Sequence, residues 1–131
     1  MRSGVLFVSP RREDATLLSR MLDSLSMPLA HVADCKHARA AIEDSIYQVI
    51  LTEALLPDGT WLDVLALARV LTPGLEVIVT DRFADARFWA EALNMGAYDL
   101  IAQPFAASEV QRILSSACSR SSAAKIGRAT C

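Results

Sequence analysis

Residues 47–61 read Tyr47-Gln48-Val49-Ile50-Leu51-Thr52-Glu53-Ala54-Leu55-Leu56-Pro57-Asp58-Gly59-Thr60-Trp61, and their reading decides the fold class. Val49, Ile50 and Leu51 form a continuous apolar run of the kind expected for a strand buried on both faces. Pro57-Asp58-Gly59 is a turn signal, and a helical pattern starts near Trp61. One carboxylate, Glu53, falls at the carboxyl end of the strand, where open parallel sheets bind their ligands.

The same alternation extends in both directions along the chain. Val5–Val8 is a compact strand-like run ended by Ser9-Pro10, and Ala15, Leu18, Leu22 and Leu25 then recur at helical spacing. Leu29 to Ala33 reads as a second strand, and Ala38, Ala41 and Ile42 as a small helix. Beyond Trp61, a helix through Leu62, Leu65, Ala66 and Arg69 stops at Thr72-Pro73-Gly74. Leu75–Val79 is a buried strand ending at Thr80-Asp81. Ala84 to Met95 is a helix stopped by Gly96, with Ala86, Ala90 and Leu93 expected inward and Phe88, with Trp89, outward. Tyr98–Ile101 is the last strand. Val110, Ile113, Leu114 and Ala117 face inward on the last helix. Five strand–helix alternations predict one doubly wound parallel α/β domain over 1–119, followed by a polar tail, 120–131, expected to be disordered.

Bulk properties narrow the function classes. The chain has 131 residues, 53% of them apolar, and a formal net charge of -2. That composition suits one ordered core and supplies no electrostatic case for nucleic acid or an anionic membrane. No apolar run approaches the roughly 20 residues that span a bilayer. The start Met1-Arg-Ser-Gly has no cleavage pattern, so a cytoplasmic location is expected. Cys35, Cys118 and Cys131 are widely spaced and suggest neither a zinc site nor a disulfide framework. Cys118 is expected in the core, Cys131 in the tail, and His31 and His37 in structural roles.

Three segments carry a family resemblance: Val77-Ile-Val-Thr80, Leu55-Leu-Pro-Asp-Gly59 and, most specifically, Gly96-Ala-Tyr-Asp-Leu-Ile-Ala-Gln-Pro-Phe105. Through them the chain, from about Val5 to Ser119, resembles the receiver domain of bacterial two-component response regulators (the CheY-like superfamily). The resemblance implies a flavodoxin-like (βα)5 fold with a five-stranded sheet of order 2-1-3-4-5. It also implies a chemistry. An aspartate at the end of the third strand accepts a phosphoryl group from a histidine kinase, and two acids after the first strand help to hold Mg²⁺. A lysine before the final proline pairs with the phosphoryl oxygens, and a Thr or Ser after the fourth strand moves toward the phosphate. A divalent cation and a lysine offset the charge of the phosphoryl group in transfer.

This sequence departs from that set at nearly every charged position. The acceptor position is Glu53, the acidic pair is Ser9 and Pro10, and the lysine is Gln103. Trp61 replaces a family glycine near the site, Leu100 occupies the aromatic switch position, and Thr80 alone is kept. The expectation is a degenerate receiver (a pseudo-receiver) that signals by protein–protein contact without phosphorylation and without enzymatic activity. No cofactor is expected, Mg²⁺ included. Glu53 is read either as an imitation of a phosphorylated aspartate or as a polar strand end; Arg11 and Arg12 are read as solvated charges at a helix start, with one of them pairing with Glu53 as the alternative. Asp58 and Asp63 are read as turn and helix-start acids, and Asp81 as a second carboxylate near the site.

Expected partners are a histidine kinase, another regulator, or a second copy through the fourth helix and the elements after it, with Phe88, Trp89 and Leu100 on that face. The alternatives are a Mg²⁺-dependent regulator phosphorylated on Glu53 or a nearby acid such as Asp58, and a small flavodoxin-like enzyme or nucleotide binder. The last is disfavoured because Ser9-Pro10-Arg11-Arg12 stands where a glycine-rich phosphate loop would be.

Overall fold

The computed structural model describes the backbone of residues 4–130 and the side chains of residues 4–120. Five strands, β1 (Val5–Val8), β2 (Leu29–Val32), β3 (Val49–Glu53), β4 (Glu76–Asp81) and β5 (Asp99–Ala102), form one parallel sheet. Its order is β2-β1-β3-β4-β5, the flavodoxin-like arrangement expected. Between and after the strands lie α1 (Arg12–Leu22), α2 (Cys35–Asp44), α3 (Trp61–Leu71), α4 (Ala86–Met95) and α5 (Ala107–Thr130). The turn at Pro57-Asp58 closes a small antiparallel pair, Leu55–Leu56 with Gly59–Thr60.

Alternate strand residues feed two cores, one on each side of the sheet. Val5, Phe7, Val49, Leu51, Ile78 and Ile101 pack against α1 and α5. Leu6, Val8, Ile50, Val77, Val79 and Leu100 pack against α2, α3 and α4. Val110, Ile113, Leu114, Ala117 and Cys118 are buried, as their spacing required. Burial pushes the Cys118 thiol up to about 11, so it serves as a small apolar core residue. Helix α5 continues to Thr130, so the residues read as a disordered tail extend the last helix. Cys131 lies outside the described residues.

The helix ends follow local rules. Thr60 and Asp63 form a capping box on α3, and Asp34 and Asp85 cap α2 and α4 by accepting the N–H three residues on. Gly96 ends α4 at φ 112°, a left-handed conformation that glycine adopts at little cost. Arg69 of α3 reaches across that end and donates to the Met95 carbonyl at 3.1 Å.

Helix α4 is rotated from the sequence expectation. Ala92 is its buried residue, and Phe88 packs against the core, whereas Ala86 and Ala90 are exposed. The alanines match the helical period, but turning Phe88 inward removes far more apolar area from water. Leu100 is also buried, at 8% exposure, and is therefore core rather than surface. Trp89 does stay outward and donates its indole N–H to Asp99 at 3.0 Å.

Candidate functional site

Register builds the site. Val8 pairs with Thr52, Glu53 with Thr80, and Thr80 with Ile101. One step past Val8, Ser9 comes level with Glu53. Four neighbouring strands therefore deliver Ser9, Glu53, Thr80 and Ile101 to one row at the carboxyl edge of the sheet, on the side covered by α1 and α5.

Every polar group in that row is held by another group of the protein. Ser9 and Thr80 are fully buried, and Glu53 is 9% exposed. The Ser9 hydroxyl donates to the Glu53 carboxylate. The Arg11 N–H donates to the Ser9 hydroxyl oxygen at 3.0 Å, and the Ser9 carbonyl lies 2.7 Å from His31 Nε2. The Thr80 hydroxyl donates to the Ile101 carbonyl at 2.7 Å and accepts from the Gln103 side-chain amide at 3.3 Å. The Gln103–Pro104 peptide bond is cis. A buried acid with a neutral donor beside it avoids the cost of an unpaired buried group.

This arrangement corrects the arginine pairing. Arg11 and Arg12 are exposed, and the ion pairs among the described residues are His37–Asp34, Arg39–Glu43 and Arg120–Glu76. Glu53 takes its hydrogen bond from Ser9 because strand register places that hydroxyl beside it. Trp61 is buried in the core on the opposite side of the sheet, so it is not a neighbour of the Ser9–Glu53 row. Pro10 is exposed.

The nearby acids have other employment. The two Asp58 carboxylate oxygens accept the backbone N–H groups of Cys35 at 2.8 Å and Lys36 at 3.1 Å, binding the loop after β3 to the start of α2. Those bonds, the Cys35 N–H foremost, hold the Asp58 carboxyl below its usual range. Burial, and then the charge of Asp58, push the Cys35 thiol up to about 12. Asp63 caps α3, and Asp81 accepts the Arg82 N–H at 2.9 Å. A cavity of about 380 Å³ lies beside the row, lined by Asp14, Leu17, Arg82, Gln103, Pro104 and Phe105. Asp14 Oδ2 is buried without a hydrogen-bond partner among the described residues, and burial raises the Asp14 carboxyl above its usual range. Neither the Asp58 cap nor the Asp14 cavity was foreseen in the sequence.

No family model matches the sequence, and no curated protein matches it. Solved structures do. The signal receiver domain of a LuxO repressor protein from Vibrio parahaemolyticus aligns at 22% identity and a TM-score of 0.87, covering 96% of this chain and 97% of that one. The fold is that of a receiver domain. The receiver of a Pseudomonas aeruginosa sensor histidine kinase, which holds a magnesium ion in its active-site cleft, aligns at 26% identity and a TM-score of 0.77, covering 88% of this chain and 97% of that one. The beryllofluoride-activated receiver of NtrC4, a dimer, aligns at 21% identity and a TM-score of 0.83, covering 92% of this chain and 99% of that one.

Proposed function

We propose that the chain is a receiver-like module of a two-component or phosphorelay system that acts by protein–protein contact, without phosphorylation and without catalysing a reaction. The observation that carries this reading is the buried Ser9–Glu53 hydrogen bond. The residue standing where the family keeps a metal-binding acid instead donates a hydrogen bond to the acceptor position. The phosphate-sensing threonine is likewise held by Ile101 and Gln103.

The residues do not fit a magnesium ion. Mg²⁺ takes a near-octahedral set of oxygens, commonly one or two carboxylates with water. Here Ser9 is already bonded to Glu53, Pro10 has no side-chain donor, and Glu53 itself is almost wholly enclosed. Among the described residues no three His, Cys, Asp or Glu are grouped to share a metal ion. Gln103 supplies no positive charge to a phosphoryl oxygen. The fourth helix and the loop before it form one contact face for a partner or a second copy, since Phe83 in that loop is 85% exposed and Trp89 on the helix 47%.

Incubation with acetyl phosphate and Mg²⁺, followed by intact-mass measurement, tests the reading. It predicts no phosphoryl adduct. A Mg²⁺-dependent adduct mapped to Glu53 or Asp58 overturns it in favour of a working phosphoacceptor.

A further inference from the structure

The turn Pro57-Asp58-Gly59 holds the one Asp–Gly step in the chain. Such a step has a chemistry of its own. The glycine backbone nitrogen can attack the aspartate side-chain carbon, because no Cβ shields it and its backbone turns easily. The N–Cγ bond forms and water leaves, giving a five-membered succinimide. Water then opens the ring at either carbonyl, which returns aspartate or gives isoaspartate, with the main chain routed through the former side chain. The two steps together neither add nor remove atoms, and water is the only co-reactant.

Both residues of the step are fixed by their surroundings. A Cβ on Gly59 would run into Asp63 Oδ2 and crowd Cys35 Sγ at 3.1 Å. Asp63 holds the Thr60 N–H in the α3 capping box, so a larger residue at 59 would disturb that cap. The Asp58 carboxylate oxygens accept the N–H groups of Cys35 at 2.8 Å and Lys36 at 3.1 Å, in the first turn of α2. These bonds restrain the side chain and favour its ionised form. A carboxylate is a far poorer target for a nitrogen than the protonated acid. The latch borders a groove of about 540 Å³ between α2 and α3. Along that groove Ala66 and Val70 continue an outer apolar row of α3 that starts at Leu62, with Val70 78% exposed.

We propose that Asp58–Gly59 is a site of spontaneous backbone isomerisation that the Asp58–α2 latch holds in check, so that conversion follows opening of the latch and then makes it permanent. Isoaspartate lengthens the main chain by a carbon and shortens the side chain by the same amount, so its carboxylate no longer spans to Cys35 and Lys36. The loop after β3 is then released from α2, and Cys35 loses a negative neighbour that raises its thiol pKa. The site lies outside the Ser9–Glu53 row and does not depend on how that row is read.

The test ages the full chain at neutral pH, native or in urea. Isoaspartate at position 58 is measured by enzymatic methyl transfer and by electron-transfer fragmentation of the peptide containing it. The native chain is expected to form it at least about tenfold more slowly than the unfolded chain. Cys35→Pro removes one latch N–H at the first position of α2, where proline fits a helix, and Asp34 before it is already extended at ψ 179°. That variant is expected to raise the native rate about fivefold, the scale of one capping bond. Cys35→Ser keeps the N–H and leaves the rate unchanged. Aged wild-type chains carrying isoaspartate react faster with thiol reagents at Cys35. Equal rates in native and unfolded chains, no isoaspartate in either, or an unchanged rate in a Cys35→Pro variant that circular dichroism shows folded overturns the proposal. Should Cys35→Pro not fold, the wild type decides: below the urea transition the isoaspartate rate must rise with the exchange rate of the Cys35 and Lys36 amides, and a rate independent of that exchange overturns the proposal.

Discussion

The carboxyl edge of the sheet and the α2–α3 groove flank the same loop, residues 54–60, yet they treat their surfaces in opposite ways. At the sheet edge, buried polar groups are bonded to one another: Ser9 to Glu53, Gln103 to Thr80, Thr80 to Ile101. In the groove, apolar side chains are left in water, and Lys36 makes no ion pair among the described residues. Asp58 joins the two regions by fastening the loop to α2. Buried groups that satisfy one another stabilise a fold and offer little to a ligand. Apolar area left exposed gains free energy only when something covers it.

Substitutions sharpen that contrast. The largest effect is expected from Ser9→Ala, which leaves a buried carboxylate without its donor and costs about 2 kcal/mol of stability, measurable by urea unfolding at neutral pH. Glu53→Gln keeps an acceptor oxygen for Ser9 and costs less than about 1 kcal/mol. A neutral Ser9→Ala variant would break the account of the row.

Asp58→Ala comes next. Asp58 and Asp34 both have carboxyls held below their usual range by backbone N–H groups, those of Cys35 and His37 respectively. Their contribution is present above the unfolded-state pKa and is lost as pH falls through the lower folded value. The melting temperature of Asp58→Ala therefore falls below wild type at neutral pH, and the two converge in strong acid. Thiol reagents also label Cys35 faster in the variant, because a negative charge that raises its pKa has gone. A pH-independent difference would show that the loop is held by something other than this cap.

Asp14 is the exception at the sheet edge, with one enclosed carboxylate oxygen that has no hydrogen-bond partner among the described residues. Its raised pKa has the opposite sign: the ionised form opposes folding above the folded value, and that penalty vanishes in acid. Asp14→Asn is expected to raise the melting temperature slightly at neutral pH, with the gain shrinking on acidification. The smallest effect belongs to the groove. Val70→Ser should change stability by no more than about 0.5 kcal/mol, and a larger loss would mean that α3 already has a covering partner within the chain.

Much of this was legible in the sequence. Apolar runs at Val5–Val8 and Val49–Leu51 with helical spacings between them specify the sheet, and Glu53 and Thr80 fall at strand ends. What stayed hidden depends on contacts between distant segments. The Asp58 cap reaches across 23 positions to Cys35, and a turn acid carries no local mark of that role. Helix α4 was misread because alanines 86 and 90 keep the helical period while Phe88 supplies the area worth burying. The Ser9–Glu53 pair was within reach, since parallel register follows from the strand positions, but the only partners weighed for Glu53 were the two arginines. The outer row of α3 was also readable, as Trp61-Leu-Asp-Val-Leu-Ala-Leu-Ala-Arg-Val-Leu71 is apolar on nearly every side.

The central claim is that the row at the sheet edge is closed to phosphoryl chemistry. Amide NMR of Ser9, Glu53, Thr80 and Gln103, recorded with millimolar Mg²⁺ and then with beryllofluoride added, tests it most directly. The account predicts that none of these signals moves in a saturable way. Saturable shifts at Glu53 and Thr80 that need both additions would contradict it and show that the Ser9–Glu53 bond opens to admit a phosphoryl mimic.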